Sequence, residues 1–421
     1  MSNYYNTYHV LLNDHHSNSL RCCFTEPIVG NTNFYTLSNK GSYATMKYVR
    51  SLITLILLSA ACTSIVFLLQ NKNQPQAKDM PKQTNPSPEA TVRLAAVGDI
   101  LLHDVVYNDA RRSGNHFDFL PMFAAVKPYI EKADVAFANQ ESIIGGVEIG
   151  LSTYPSFNSP IEIADALAFT GFDVMSLANN HALDRGEQAL QRSLSYWDKL
   201  NIVRTGAYTS QEDRNTIRTF SKNGITCAVL SYTYGLNGID TLQKPYLVNL
   251  MQPEQMKQDV EQAKQIADAV IVILHFGTEY ETLPNSSQKE VTQFLADLGV
   301  SVILGHHPHV LQPPEFLTGK QGNQTFVAYS LGNFLAGQEN EETHFGGIIE
   351  VSIRKEKDGR IVLNNPSFLP TFTYSRNQTD YQVIPLAQVT EEQYPLARER
   401  YDKIIQHMKT YLPTLRIVTP K

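Results

Sequence analysis

From Thr91 onward, short apolar runs alternate with amphipathic stretches, and six of the runs break off into the same kind of polar group. Val97 leads into Gly98-Asp99, Ala138 into Asn139-Gln140-Glu141, and Ala178 into Asn179-Asn180-His181. Leu274 leads into His275-Phe276-Gly277, Leu304 into Gly305-His306-His307-Pro308-His309, and Ser330 into Leu331-Gly332-Asn333. Short apolar runs bounded by turn formers are the pattern of buried strands. Strands are expected at Val92–Val97, Val135–Ala138, Val174–Ala178, Ile225–Tyr232, Val270–Leu274, Val302–Leu304 and Phe326–Ser330. Between them, Val291, Phe294, Leu295 and Leu298 fall at helical spacing, and Pro253–Asp268 reads as a helix charged on its outer face. Such alternation predicts an α/β fold, with βα units on a mixed or parallel sheet covered by helices. Residues 346–374 read instead as consecutive strands around an Asp358-Gly359 turn, expected to form a second sheet packed on the first.

In open α/β sheets, functional groups gather beyond the carboxyl ends of the strands. The groups found there are imidazole, carboxylate and amide oxygen without thiolate, a set suited to Mn, Fe or Zn. His307 and His309 have a His-x-His spacing that a tight turn at Gly305 and Pro308 can aim at one centre. Taken singly, each residue has an ordinary reading. Asp99 is a turn or helix-capping aspartate, His275 a satisfied core histidine, Asn179-Asn180 a left-handed turn pair, and Glu141 a solvated strand-end carboxylate. Taken as an ordered set, they point to a metal site. His306 is expected to be structural or to support the site, because adjacent side chains rarely hold the same ion. Asp184 and Arg185 are placed to brace the Asn180-His181 turn through hydrogen bonds. Glu279-Tyr280 either orients His275 and lines the pocket or lies on the surface.

The formal charge of -6 comes with no basic block outside the flank of one apolar run, which argues against a nucleic-acid partner. That run, residues 51–69, is uncharged, about long enough to span a bilayer, and preceded by Lys47 and Arg50. It predicts a signal anchor over 46–70, a single transmembrane helix that leaves the rest of the chain extracytoplasmic. A cleaved lipoprotein signal at Cys62 is the rival reading, but the apolar run continues past it. Residues 1–45 read as a disordered or non-native leader, with Met46 as the alternative start, and 71–90 as a Pro-rich linker. Cys22, Cys23 and Cys62 fall before the folded region and Cys227 in an apolar run, so neither a disulfide framework nor a Cys-rich zinc site is expected.

The segments GDILLHD, NQESII, ANNHALDRG, HFGTEY, GHHPHVLQ and YSLGNF, in this order, resemble the CapA/PgsA family of poly-γ-glutamate capsule proteins. That family lies in the calcineurin-like metallophosphoesterase superfamily, and the similarity covers residues 91–375, leaving 376–421 as a helical extension. The resemblance implies an αββα sandwich of two mixed sheets flanked by helices, preceded by one transmembrane helix. It implies that Asp99, Glu141, Asn180, His275, His307 and His309 bind one or two divalent ions, and that His181 is the general acid. His103, Asn139, Asp184, Glu279, His306 and Asn333 would support the ligands or meet the substrate. Two positions depart from the superfamily pattern: Leu101 stands where the first motif has histidine, with His103 two residues on, and Glu141 stands where it has aspartate. The implied role is in poly-γ-glutamate synthesis or export at the cell membrane, beside an ATP-dependent ligase and a small membrane subunit, with poly-γ-glutamate or another anionic polymer bound. A secreted metal-dependent phosphoesterase or amide hydrolase is the second reading, and a scaffold without metal the third.

Overall fold

A computed structural model describes residues 90–241 and 243–420. The leader, the apolar run 51–69 and the linker up to residue 89 lie outside the described residues. Among the described residues, no helix is long and apolar enough to cross a membrane.

Among the described residues the strands are, in chain order, β1 (Ala90–Leu101), β2 (Val135–Gln140), β3 (Val174–Ser176), β4 (Val203–Thr205), β5 (Arg218–Lys222), β6 (Ile225–Thr233), β7 (Ala269–His275), β8 (Val302–His306), β9 (Leu311–Gln312), β10 (Glu315–Thr318), β11 (Gln324–Ala328), β12 (Ser330–Leu331), β13 (Asn333–Ala336), β14 (Phe345–Lys355), β15 (Ile361–Arg376), β16 (Thr379–Pro385) and β17 (Arg416–Ile417). They form a mixed α/β fold with two main sheets. The first runs β16-β15-β14-β1-β2-β3-β4, with β13 also on β1 and β17 on β15; the second runs β10-β11-β8-β7-β6-β5. Each has a parallel centre, β1 to β4 in one and β6, β7, β8 and β11 in the other, with antiparallel strands outside it.

Side-chain alternation along the central strands explains the layering. Val92 and Leu94 of β1, with Phe137 and Val174, pack against Ile225, Val229, Ile271 and Ile273 of the other sheet. The alternate residues Ala95 and Val97 face the other way, into a separate apolar cluster to which Leu190, Leu194 and Trp197 of the helix Gly186–Lys199 also belong. In β7, Val270 and Val272 likewise turn outward onto Met256 and Val260 of the helix Pro253–Ile266 and Leu295 of the helix Ser286–Asp297. Strands covered on both faces must be apolar along their length, which is why β7 reads AVIVIL before His275. The helix Ser286–Asp297 starts on a capping box, the Asn285 side chain accepting from Gln288 N–H while the Gln288 side chain accepts from Asn285 N–H.

Two expectations change. The strands of 346–374 do not make the second sheet. β14 lies antiparallel to β1, Leu94 opposite Val351, and so extends the first sheet, while the second is built from residues 218–328. Nor is 376–421 simply helical. β16 adds an edge strand, its buried Tyr381 and Val383 flanking exposed Gln382, and the following helix Ala397–Met408 sends Ile404 and Met408 into the core between the sheets.

Candidate metal centre

Asp99 sits inside β1 rather than in a turn after it. The register of β1 shifts between Ala96 and Asp99 against β2, and between Asp99 and Ile100 against β13. Such bulges re-aim a side chain. Gly98 permits this one, because a Cβ there would collide with the Gly332 carbonyl, which accepts the Asp99 N–H at 2.9 Å. The Asp99 carboxylate is fully buried. Its Oδ1 accepts from Asn139 Nδ2 at 2.8 Å and from His306 Nδ1 at 3.0 Å, and its Oδ2 accepts from the His307 N–H at 3.2 Å. Burial alone would raise its pKa, but hydrogen bonds from His306 and His309 outweigh that and hold it well below the usual carboxylate range.

Glu141 follows β2, its N–H bonded to Ile100 O at 3.0 Å. Its side chain is fully buried, and neither carboxylate oxygen has a hydrogen-bond partner. The nearest cationic candidates stand off: His275 Nε2 is 3.4 Å and His309 Nε2 3.7 Å from Oε1. Burial pushes the pKa up to about 8. An isolated buried carboxylate costs several kcal/mol, and a cation between these groups would remove that cost.

The histidines come from the second sheet. His275 ends β7, its Nε2 2.7 Å from Asn180 Oδ1 and its Nδ1 3.4 Å from Asn139 Nδ2. Burial lowers its pKa well below the usual histidine value, which keeps the ring in the neutral form that ligates metals. After β8 the chain turns sharply. His307 and His309 take φ of 100° and 59°, left-handed values costly for side chains other than glycine. Burial and neighbouring imidazoles push His307 down to about 2, and its Nδ1 has no partner. Burial would lower His309 too, but Glu141 and Asp99 raise it to about 9. Its Nδ1 lies 3.0 Å from Asn333 Oδ1.

Ligand atoms of Asp99, Glu141 and His309 lie within 4.8 Å of one another, as do those of Glu141, His275 and His307. Glu141 is common to both sets, and the Asn180 oxygen stands beside His275 in the second. Asn139 and His306 hydrogen-bond to Asp99, and Asn333 to His309. Glu279, in the loop after β7, joins His307 and His309 in a third set at the same spacing, although its side chain is exposed.

The centre borders a cleft of about 530 Å³ lined by His103, Tyr154, Phe157, His181, Glu279 and Tyr280, among others. A depression of about 930 Å³ along the helix Gly186–Lys199 is larger but contains none of the residues singled out above as ligands or their supports. His181 projects into the cleft with its Nδ1 2.7 Å from Asp184 Oδ2 and its ring edge-on to Phe157 at 4.7 Å. Arg185 turns away, donating to the carbonyls of Ile149 and Gly150 and to Ser152. His103 enters none of the three ligand sets. Its Nδ1 lies 3.1 Å from Leu101 O and 3.2 Å from Gly337 N, while Leu101 packs with Phe157 and Ala336.

Two contributors escaped the sequence reading. Asn237 Oδ1 accepts from Asn180 Nδ2 at 3.3 Å, which leaves the Asn180 oxygen facing His275. The Tyr234 ring lies 4.7 Å from that of His307. Both follow β6, a seventh apolar run that also breaks into polar residues at Tyr-Gly-Leu-Asn-Gly, and the Asn237-Gly238 turn pair is the signal that marks it.

A family model for bacterial capsule synthesis protein PGA_cap matches residues 93–338. The chain is 30% identical to the PGA biosynthesis protein CapA of Bacillus subtilis strain 168, over 63% of this chain and 68% of that protein. It is 29% identical to the capsule biosynthesis protein CapA of Bacillus anthracis, over 62% of this chain and 64% of that one. These matches therefore span about two thirds of each relative's own length. The NAD nucleotidase of Haemophilus influenzae superposes with a TM-score of 0.43 at 11% identity, over 79% of this chain and 65% of that one, a likeness too slight to bear on activity. This chain belongs to the bacterial capsule synthesis protein family.

Proposed function

We propose that this chain is a membrane-anchored, extracytoplasmic subunit of poly-γ-glutamate capsule synthesis or export, built on a metallophosphoesterase-like αββα sandwich. In this reading its centre binds one or two divalent transition-metal ions, Mn, Fe or Zn. The observation that carries it is Glu141, a fully buried carboxylate with both oxygens unpartnered, shared by two sets of potential ligands. Asp99, Glu141 and His309 would hold one position; Glu141, Asn180, His275 and His307 the other. Asn139 and His306 fix Asp99, and Asn333 fixes His309. When bound, such ions polarise a phosphoryl or carbonyl oxygen and stabilise the charge that develops there. Family membership supports the capsule role, with an ATP-dependent ligase and a small membrane subunit as partners. The basic-flanked apolar run 51–69 supports the anchor.

The pairing of His181 with Asp184 at 2.7 Å favours a second reading, a metal-dependent hydrolase of phosphoesters or amides. Asp184 fixes the ring so that its other nitrogen can hold a proton for a leaving group. The test of the centre is the metal content of the detergent-purified full-length protein and of His307→Ala, by elemental mass spectrometry. Metal in the wild type that is lost from the variant is the expected result; equal content in both overturns the site. Turnover of phosphoesters or of γ-glutamyl oligomers by the loaded protein then separates hydrolysis from polymer binding.

A further inference from the structure

The two inner carboxylates are fixed. Asp99 and Glu141 are fully buried, and Asp99 is held by Asn139, His306 and the His307 N–H. Glu279 differs in both respects. Its side chain is exposed at the cleft, yet its backbone is tied to the histidine turn, because the next residue, Tyr280, donates its N–H to Pro308 O at 2.9 Å. Its carboxylate oxygen and the ligand nitrogens of His307 and His309 lie within 4.8 Å of one another. Ligands at about 2.1 Å from one ion stand roughly 3–4 Å apart, so a shift of under about 1 Å by a flexible side chain closes the set. His307, which is 4% exposed, also has an Nδ1 without a hydrogen-bond partner. The carboxylate also has room to move, because the cleft it borders is lined by the Tyr280 side chain, whose hydroxyl oxygen accepts from Gln338 Nε2 at 3.3 Å.

The geometry points to Glu279 as a displaceable ligand: it caps the metal centre from the solvent side through His307 and His309, and it swings out into the cleft when an anionic group takes its place. This rests on the reading of the centre as a metal site. The fixed carboxylates hold the ion, and the mobile one keeps the open face closed until an anion competes for it. An anionic ligand therefore binds against Glu279, and removing Glu279 makes anion binding tighter while making metal retention poorer.

The experiment uses the full-length protein loaded with cobalt(II), with inorganic phosphate as the anion. Cobalt release to a chelator and the phosphate Kd are measured for the wild type, Glu279→Gln and Glu279→Asp. The aspartate keeps the charge and shortens the reach. Both variants are expected to release cobalt about 10-fold faster and to bind phosphate about 10-fold more tightly. A change confined to Glu279→Gln means that Glu279 acts by charge at a distance, and overturns the proposal. Wild-type behaviour in both variants overturns it too. Failure of the wild type itself to take up cobalt overturns the metal centre as well, which separates the two inferences.

Discussion

Asn180 Oδ1 and His275 Nε2 lie 2.7 Å apart, although Asn180 follows β3 of the first sheet and His275 ends β7 of the second. The contact joins the two sheets at the carboxyl ends of their parallel strands. Asp99, Glu141 and Asn180 come from the first sheet, and His275, His307 and His309 from the second. The centre therefore lies across the junction, and it exists only when both sheets have formed and packed.

Glu141→Gln keeps the shape of the shared residue and removes its charge. The metal-free variant is expected to melt no lower than the metal-free wild type, because a carboxylate that burial disfavours is gone. Metal should stabilise the wild type, by about 2.7 kcal/mol at a hundredfold excess over Kd, and leave the variant unchanged. Calorimetric scans with and without Mn(II) check this. A metal-dependent rise of equal size in the variant would remove Glu141 from the centre.

His181 lies in the cleft and in none of the ligand sets. Under the hydrolase reading, His181→Asn should lower turnover about 10²–10⁴-fold with metal content unchanged. Asp184→Asn should follow it in direction by releasing the ring. Loss of metal along with activity would instead make His181 a ligand or a structural support.

Away from the centre, Asp213 accepts from Thr209 N–H at 2.8 Å and pairs with Arg204 at 3.2 Å and with Arg218. Burial alone would raise its pKa, but these partners bring it down to about 2. A folded value below the unfolded one of about 3.9 means the native state binds fewer protons. The pairing thus contributes stability above pH 4, lost as pH falls from about 4 to 2. Denaturant midpoints across that range should show a steeper acid limb in the wild type than in Asp213→Asn, which should be less stable at pH 7. Parallel curves would count against it.

The strands around the site and the residues at their ends were legible in the sequence, because burial on both faces demands unbroken apolar runs and the polar breaks stand out against them. That is why Asp99, Glu141, Asn180, His275, His307 and His309 emerged together from segments up to 210 residues apart, and why the structure gathers them. What the sequence could not decide was pairing between distant segments. β14 reads equally well as part of either sheet until its register with β1 is known. The bulge that turns Asp99 inward, the left-handed backbone at His307 and His309, and the isolation of Glu141 between the two ligand sets are features of the folded structure that no local pattern in the sequence marks. Local propensity fixes where a strand ends and what side chain stands there. Which side chains then share one ion-sized space is decided by the packing of two sheets whose strands are far apart in the chain.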